Sequence, residues 1–279
     1  MATFSAFDGT TLAYHVSGQG EPLVCLPGGP MQDSLYLSDL GGLGARRRLI
    51  MLDLRGTGAS AESADPAGYR CDRLVDDVEA LRAHLGLDHL TLLAHSAGTN
   101  LALRYTEHHP ARVDRLVLLT PSLFAAGITV PGGTRHETAL LRRDEPWFPE
   151  AFAALEEIMA GRATARTWQA VAPFRYGSWD ETAQAHHAAE ATQRNEQAAA
   201  LYGSEGAFDP DSTRAALAAF DRPVLVLAGE LDLNSPPSAT AELAALFPDA
   251  RLVVQRGAGH FPWLDDASGF VRTVEDFLP

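Results

Sequence analysis

The feature that most limits how this chain can fold is a recurring alternation. Short, continuously apolar runs are separated by stretches of helical periodicity. Leu23-Val24-Cys25-Leu26, Leu49 to Leu52, Leu90 to Ala94, Val113 to Leu119, Pro223 to Ala228 and Leu252 to Val254 each read as a strand. Between them, Leu74, Val75, Val78, Leu81 and Leu85 recur at helical spacing, with Asp76, Asp77, Glu79 and Arg82 on the other face. Such alternation specifies βαβ units and a mostly parallel sheet. Runs that are apolar at every position, not at every second one, require helices on both faces of that sheet. Residues 3–16 read as an antiparallel hairpin around Asp8-Gly9-Thr10.

The alternation stops between about 121 and 210 and resumes after 220. The intervening stretch is Ala-rich and helix-leaning, and it is too long for a loop without structure of its own. It is expected to be a helical cap, 121–210, inserted into an α/β core of residues 1–120 and 211–279. Seven aromatics crowd its middle: Trp147, Phe148, Phe152, Trp168, Phe174, Tyr176 and Trp179. They are expected to form the insertion's own core and, in part, the wall of an apolar substrate pocket.

Composition removes several kinds of chemistry. All 22 basic residues are arginine, and there is no lysine. No Schiff base can form on a lysine side chain, and no phosphate loop ending in Gly-Lys-Ser/Thr can exist. With 36 acidic residues the formal net charge is −14, which argues against a nucleic-acid partner. A small-molecule substrate is expected instead; were it charged, this acidic surface would suit a cation better. Two cysteines make neither a disulfide framework nor a four-ligand zinc site. His186, His187 and Glu190 offer too few ligands for a metal. No metal and no cofactor are assigned. The first residues lack a basic region and an apolar core, and no run approaches 18 apolar residues. The expectation is a cytoplasmic protein without a membrane partner, its oligomeric state (monomer or dimer) left open.

Four short segments carry the chemistry, and each follows a predicted strand. Ala94-His95-Ser96-Ala97-Gly98 lies between a strand and a helix. Small residues around the serine let it occupy a tight turn, as in a nucleophile elbow. The pattern alone arises by chance about 0.2 times in a chain this long, so its strand–turn–helix context is what gives it weight. Pro27-Gly28-Gly29-Pro30 follows the first apolar strand; the Gly29 and Ala97 N–H groups would form an oxyanion hole. Gly229-Glu230-Leu231-Asp232 and Gly257-Ala258-Gly259-His260 follow the 223–228 and 252–254 strands. Serine, then acid, then histidine, all at strand C-termini, is an arrangement for nucleophilic acyl transfer. Ser96 attacks, His260 takes its proton, and Asp232 orients and charge-stabilises the imidazole. Residues flanking these motifs, Met31, His95 and Phe261, join Trp147, Phe148, Phe174, Tyr176 and Trp179 as the expected pocket lining.

On these motifs the chain resembles the α/β-hydrolase superfamily. Gly28-Gly29-Pro30, Asp53-Leu54-Arg55-Gly56-Thr57-Gly58-Ala59-Ser60, the elbow at 94–98, Asp232 and His260 all match. The N-terminal half is most similar to proline iminopeptidase-related serine hydrolases, whose helical cap is inserted where residues 121–210 fall. The resemblance implies the fold and the Ser-His-Asp mechanism. It also marks two departures. Pro27 stands where that group usually has His, and the elbow reads Ala-His-Ser-Ala-Gly where it usually reads Gly-Gly-Ser-Trp-Gly. An ester, thioester or lactone of a small hydrophobic molecule is therefore the first expected substrate class. Release of an N-terminal residue from a peptide is the second, and C–C bond hydrolysis the third. A non-catalytic binder on the same fold is the alternative of another kind.

Overall fold

The computed structural model describes all 279 residues, 1–279. Eight strands form one sheet: β1 Ala2–Ser5, β2 Thr11–Ser17, β3 Pro22–Leu26, β4 Arg48–Leu52, β5 Leu90–His95, β6 Val113–Leu119, β7 Val224–Gly229 and β8 Ala250–Gln255. Their order is β1-β2-β4-β3-β5-β6-β7-β8. The hairpin β1–β2 and its junction with β4 are antiparallel; every pairing from β4 to β8 is parallel. This is the α/β-hydrolase architecture anticipated above.

Eleven helices accompany the sheet. They are α1 Cys71–His84, α2 Gly98–His108, α3 Gly132–Leu140, α4 Phe148–Met159, α5 Ala165–Ala170, α6 Glu181–Gln193, α7 Glu196–Tyr202, α8 Pro210–Ala218, α9 Pro237–Ala244, α10 Pro262–Asp265 and α11 Ala267–Glu275. None is long and apolar enough to cross a membrane. Between β6 and β7 the chain forms no strand. Helices α3 to α7 occupy that stretch, and α8 returns to the sheet by burying Leu217 in its main core.

The continuously apolar strands are explained by the two cores that they divide. Val24, Leu26, Leu92, Ala94, Leu116 and Leu118 point to one face, where α1, α2, α8 and α9 cover them. Leu23, Cys25, Leu93, Val117, Leu225 and Leu227 point to the other, against α10, α11 and the segment around Tyr36 to Leu43. Strand side chains alternate in direction, so a strand buried on both sides must be apolar throughout.

After β3 the chain moves to β4 on one side, and β5 is laid down on the other. The C-termini of β3 and β5 thus lie side by side at the switch point of the sheet, with Leu26 opposite Ala94. Open α/β sheets leave a crevice at such a point.

The turn after β4 is held by buried charges. Asp53 accepts hydrogen bonds from the Ser34 N–H (3.0 Å), the Ser34 hydroxyl (2.7 Å) and the Ala59 N–H (3.0 Å). Arg55 donates through Nε to Asp77 at 2.8 Å, makes a second, shorter contact to the same carboxylate, and reaches Asp8 at 2.8 Å. Both members of the Arg55–Asp77 pair are almost fully buried. Removing one side leaves the other charge stranded, whereas replacing both does not. Arg55→Met is expected to lower unfolding free energy by about 3–5 kcal/mol in urea titrations. The Arg55→Met/Asp77→Leu double variant should recover much of that loss; equal instability of single and double variants would refute the explanation.

Candidate active site

The elbow between β5 and α2 is built by close approach. Ser96 has φ +52°, a left-handed conformation that non-glycine residues adopt at a cost of about 1–3 kcal/mol. The surroundings impose it. The Ser96 N–H donates to Leu119 O at 3.0 Å, and its carbonyl accepts from Thr99 N–H (2.9 Å) and Ser122 N–H (3.0 Å). A Cβ at Gly98 would stand 2.5 Å from the carbonyl oxygens of Leu26 and Pro27. One at Gly28 would stand 2.8 Å from the His95 carbonyl oxygen and the Ser96 Cβ. Glycine at both positions lets the loop after β3 lie directly on the elbow.

Asp232, three residues beyond β7, and His260, five beyond β8, converge on that serine. Asp232 is 1% exposed and His260 4%. His260 Nδ1–H donates to Asp232 Oδ2 at 2.7 Å. With the proton on Nδ1, Nε2 accepts the Ser96 hydroxyl at 2.8 Å. The other carboxylate oxygen, Asp232 Oδ1, accepts from the Asn234 N–H at 2.9 Å. Glu230, the neighbouring acid, instead accepts from the Gly257 N–H at 2.8 Å. The Gly29 and Ala97 N–H groups donate to no protein atom. Both line the cavity wall at Ser96, and Ala97 caps the start of α2, where helix N–H groups are unpaired and the dipole is positive.

His95, next to Ser96, is 2% exposed and hydrogen-bonded at both ring nitrogens. Its Nε2–H donates to the His260 carbonyl at 2.8 Å. A carbonyl only accepts, so this fixes the proton on Nε2, and Nδ1 accepts from the Tyr36 hydroxyl at 2.6 Å. Tyr36 Oη in turn accepts the Gly28 N–H at 2.7 Å. Burial, and then the nearby His260, drive the His95 pKa well below the ordinary histidine value. A neutral imidazole therefore ties the glycine loop, the elbow and the His260 loop together. Sequence reasoning placed His95 at the pocket but missed this linking role, because Tyr36 lies 59 residues away.

Two cavities meet at Ser96. One of about 1100 Å³ lies beneath α4 to α6, and one of about 650 Å³ lies toward α7. Of the expected lining, His95, Phe174 and Phe261 face the larger cavity. The other five do not line it. Met31 is fully buried in the main core. Trp147 packs edge-on against Phe174, and Phe148 stacks on Phe152, within the insertion's own core. Tyr176 is buried against Phe261, its hydroxyl bonded to His186 Nδ1 at 2.9 Å, and Trp179 leans on Tyr176. Aromatic crowding indicated a core more than a wall.

The lining is also more polar than expected. Arg135, Arg175 and Arg194 all face the larger cavity, with Gln32 and Glu190. Arg175 is ion-paired with Glu190 and stacks over Phe261, its guanidinium carbon 5.1 Å from the ring centre. Arg194 lies 3.9 Å from Glu190 and 3.5 Å from Glu196. Burial opposes the Glu190 charge, yet His187, 3.8 Å away, and the charges of Arg175 and Arg194 bring its pKa down to about 2. No periodicity marks these arginines, and only the folded insertion brings them together.

A sequence profile described as the alpha/beta hydrolase fold matches residues 21–267. The N-formylmaleamate deformylase of Pseudomonas putida is 27% identical over 265 residues, covering 94% of this chain and 90% of the relative. A proline iminopeptidase of Heyndrickxia coagulans is 25% identical over 276 residues, covering 94% and 92%. Among solved structures, an esterase from Rhodococcus sp. superposes with a TM-score of 0.68 at 26% identity, covering 99% of this chain and 97% of that one. Sheet order, strand-end loops and profile agree: the chain belongs to the α/β-hydrolase fold family.

Proposed function

We propose that this protein is a serine hydrolase that cleaves an ester, thioester or lactone of a small molecule through an acyl-enzyme. One observation carries the reading: the unbroken chain Asp232–His260–Ser96, with links of 2.7 and 2.8 Å, beside two unpaired N–H groups. Its relatives' names, a deformylase, an iminopeptidase and an esterase, are all those of hydrolytic enzymes and support the reaction class. The helices between β6 and β7, which roof the larger cavity, serve as the cap.

The steps follow from the geometry. His260 Nε2 takes the Ser96 proton as Oγ bonds to the substrate carbonyl carbon. The Gly29 and Ala97 N–H groups receive the oxyanion, and Asp232 stabilises the imidazolium. Collapse breaks the bond to the leaving group, which accepts the proton from His260. Water, deprotonated by the same imidazole, then releases the acid and restores the serine.

An aminopeptidase needs carboxylates free to hold a substrate ammonium. Glu190 is the one acid of the expected cap that lines either cavity, and Arg175 and Arg194 already engage it. The cavity therefore favours the acyl-ester reading over peptide release.

Ser96→Ala should lower kcat for 4-nitrophenyl butyrate on the order of 10⁶-fold and abolish labelling by a fluorophosphonate. Labelling at another serine, or near-normal turnover, rules the assignment out. Asp232→Asn should cost about 10⁴-fold in kcat, because the amide favours the wrong imidazole tautomer. Tyr36→Phe leaves the Gly28 N–H and His95 Nδ1 without partners. It should lower unfolding free energy by about 1–3 kcal/mol and reduce kcat more than it changes KM. A Tyr36→Phe enzyme with unaltered melting and kcat would show the linkage to be idle.

A further inference from the structure

Five residues line both cavities that meet at the nucleophile: Gly29, Ser96, Arg135, Asn234 and His260. Three belong to the proposed catalytic machinery. Of the other two, only Arg135 carries a charge. Its guanidinium has five N–H donors, and one of them reaches a protein acceptor, the Val130 carbonyl at 3.3 Å. No carboxylate lies within ion-pair distance of it, whereas Arg175 and Arg194 in the same lining each pair with Glu190. Asp232 is likewise committed to His260. Arg135 is thus the one arginine lining the larger cavity that has no carboxylate partner.

Its position is also unfavourable for folding. Arg135 is the fourth residue of α3, near the positive end of that helix, and the first turn holds no acid to offset it. A half-buried cation kept there, with most of its donors open, is placed for something that enters the cavity. A planar guanidinium matches a carboxylate, with two parallel hydrogen bonds. A single net positive charge matches a monoanion better than a doubly charged phosphomonoester.

We infer that Arg135 is the specificity-determining residue of this site, and that the substrates are small acyl compounds carrying a free carboxylate. This rests on Ser96 acting as the nucleophile. The molecule is strongly acidic overall, but its cavity selects an anion; the preference for a cation expected from net charge is reversed at the site.

The test compares three esters on the purified enzyme. They are 4-nitrophenyl butyrate, which is neutral, mono-4-nitrophenyl glutarate, with the carboxylate on the acyl arm, and 4-butyryloxybenzoate, with it on the leaving arm. The wild type should favour at least one anionic ester over the neutral one by about tenfold or more in kcat/KM, the size of a charge-assisted hydrogen bond. Arg135→Met should erase that ratio, mainly through KM, and Arg135→Lys should restore part of it. An independent measurement needs no variant: glutarate should inhibit neutral-ester turnover competitively, and glutaramide should not. A wild-type ratio near one, a ratio unchanged in Arg135→Met, or equal inhibition by acid and amide overturns the inference. Fluorophosphonate labelling separates the two levels. No adduct at Ser96 in the wild type refutes the serine reading, whereas an adduct with no anion preference refutes only the role of Arg135.

Discussion

The arrangement depends on where one imidazole is held. His260 lies in a loop, outside any helix or strand, so no regular ladder fixes it. Its backbone is gripped instead. Its N–H donates to the Arg175 carbonyl at 2.7 Å, and its carbonyl accepts from His95 Nε2–H (2.8 Å) and the Thr120 hydroxyl (2.9 Å). Gly259, just before it, is where that grip is tightest: a Cβ would stand 2.6 Å from the Arg175 oxygen. The ring is then aimed by Asp232. Three parts of the chain, the elbow strand, the end of β6 and the insertion, therefore set one side chain, and a shift in any of them is felt at Ser96 Oγ. Sites held by interlocked partners are more precise than sites resting on a free loop.

The insertion does more than cover the sheet. Through the Arg175 backbone it helps hold the histidine, and through the Arg175 side chain it builds the ion pair with Glu190 in the cavity wall. Its own small core of Ala139, Phe148, Ala151, Leu155, Phe174 and Leu233 anchors it to the loop after β7, which carries Asp232. The cavity wall and the loop that carries Asp232 are thereby one packed unit. Charge is sorted spatially as well: acid is spread over the exterior, and the cavity wall is left with a surplus of arginine.

What could be read from the sequence follows from the range of the forces involved. The strands and the main helices are local, periodic patterns, and they are legible. The serine, acid and histidine were legible because each follows a strand end, and a parallel sheet brings its C-terminal ends together. The pocket was not. Met31 looked like lining because it flanks the glycine loop, and Trp147, Phe148, Tyr176 and Trp179 because large apolar side chains crowd the insertion, yet the same chemistry packs a core. Nothing in the sequence singled out Arg135, Arg175 and Arg194. Their placement depends on how α3, α6 and the segment before Tyr176 cross, which no local pattern encodes. The Tyr36–His95 link was hidden for the same reason.

The two cavities that share Ser96 have a kinetic meaning. Under the proposed mechanism a bound molecule straddles the nucleophile, with its halves in separate chambers. After the first half departs, its chamber stands open while the acyl group still fills the other. Water can then reach the carbonyl without displacing what is bound. Departure and hydrolysis then use the same door, so an alcohol product competes with water for one chamber and with the parent ester only in the free enzyme. Added alcohols that fit the vacated chamber would divert the acyl group from water to a new ester, which makes the partition between hydrolysis and transesterification a property of that chamber's walls.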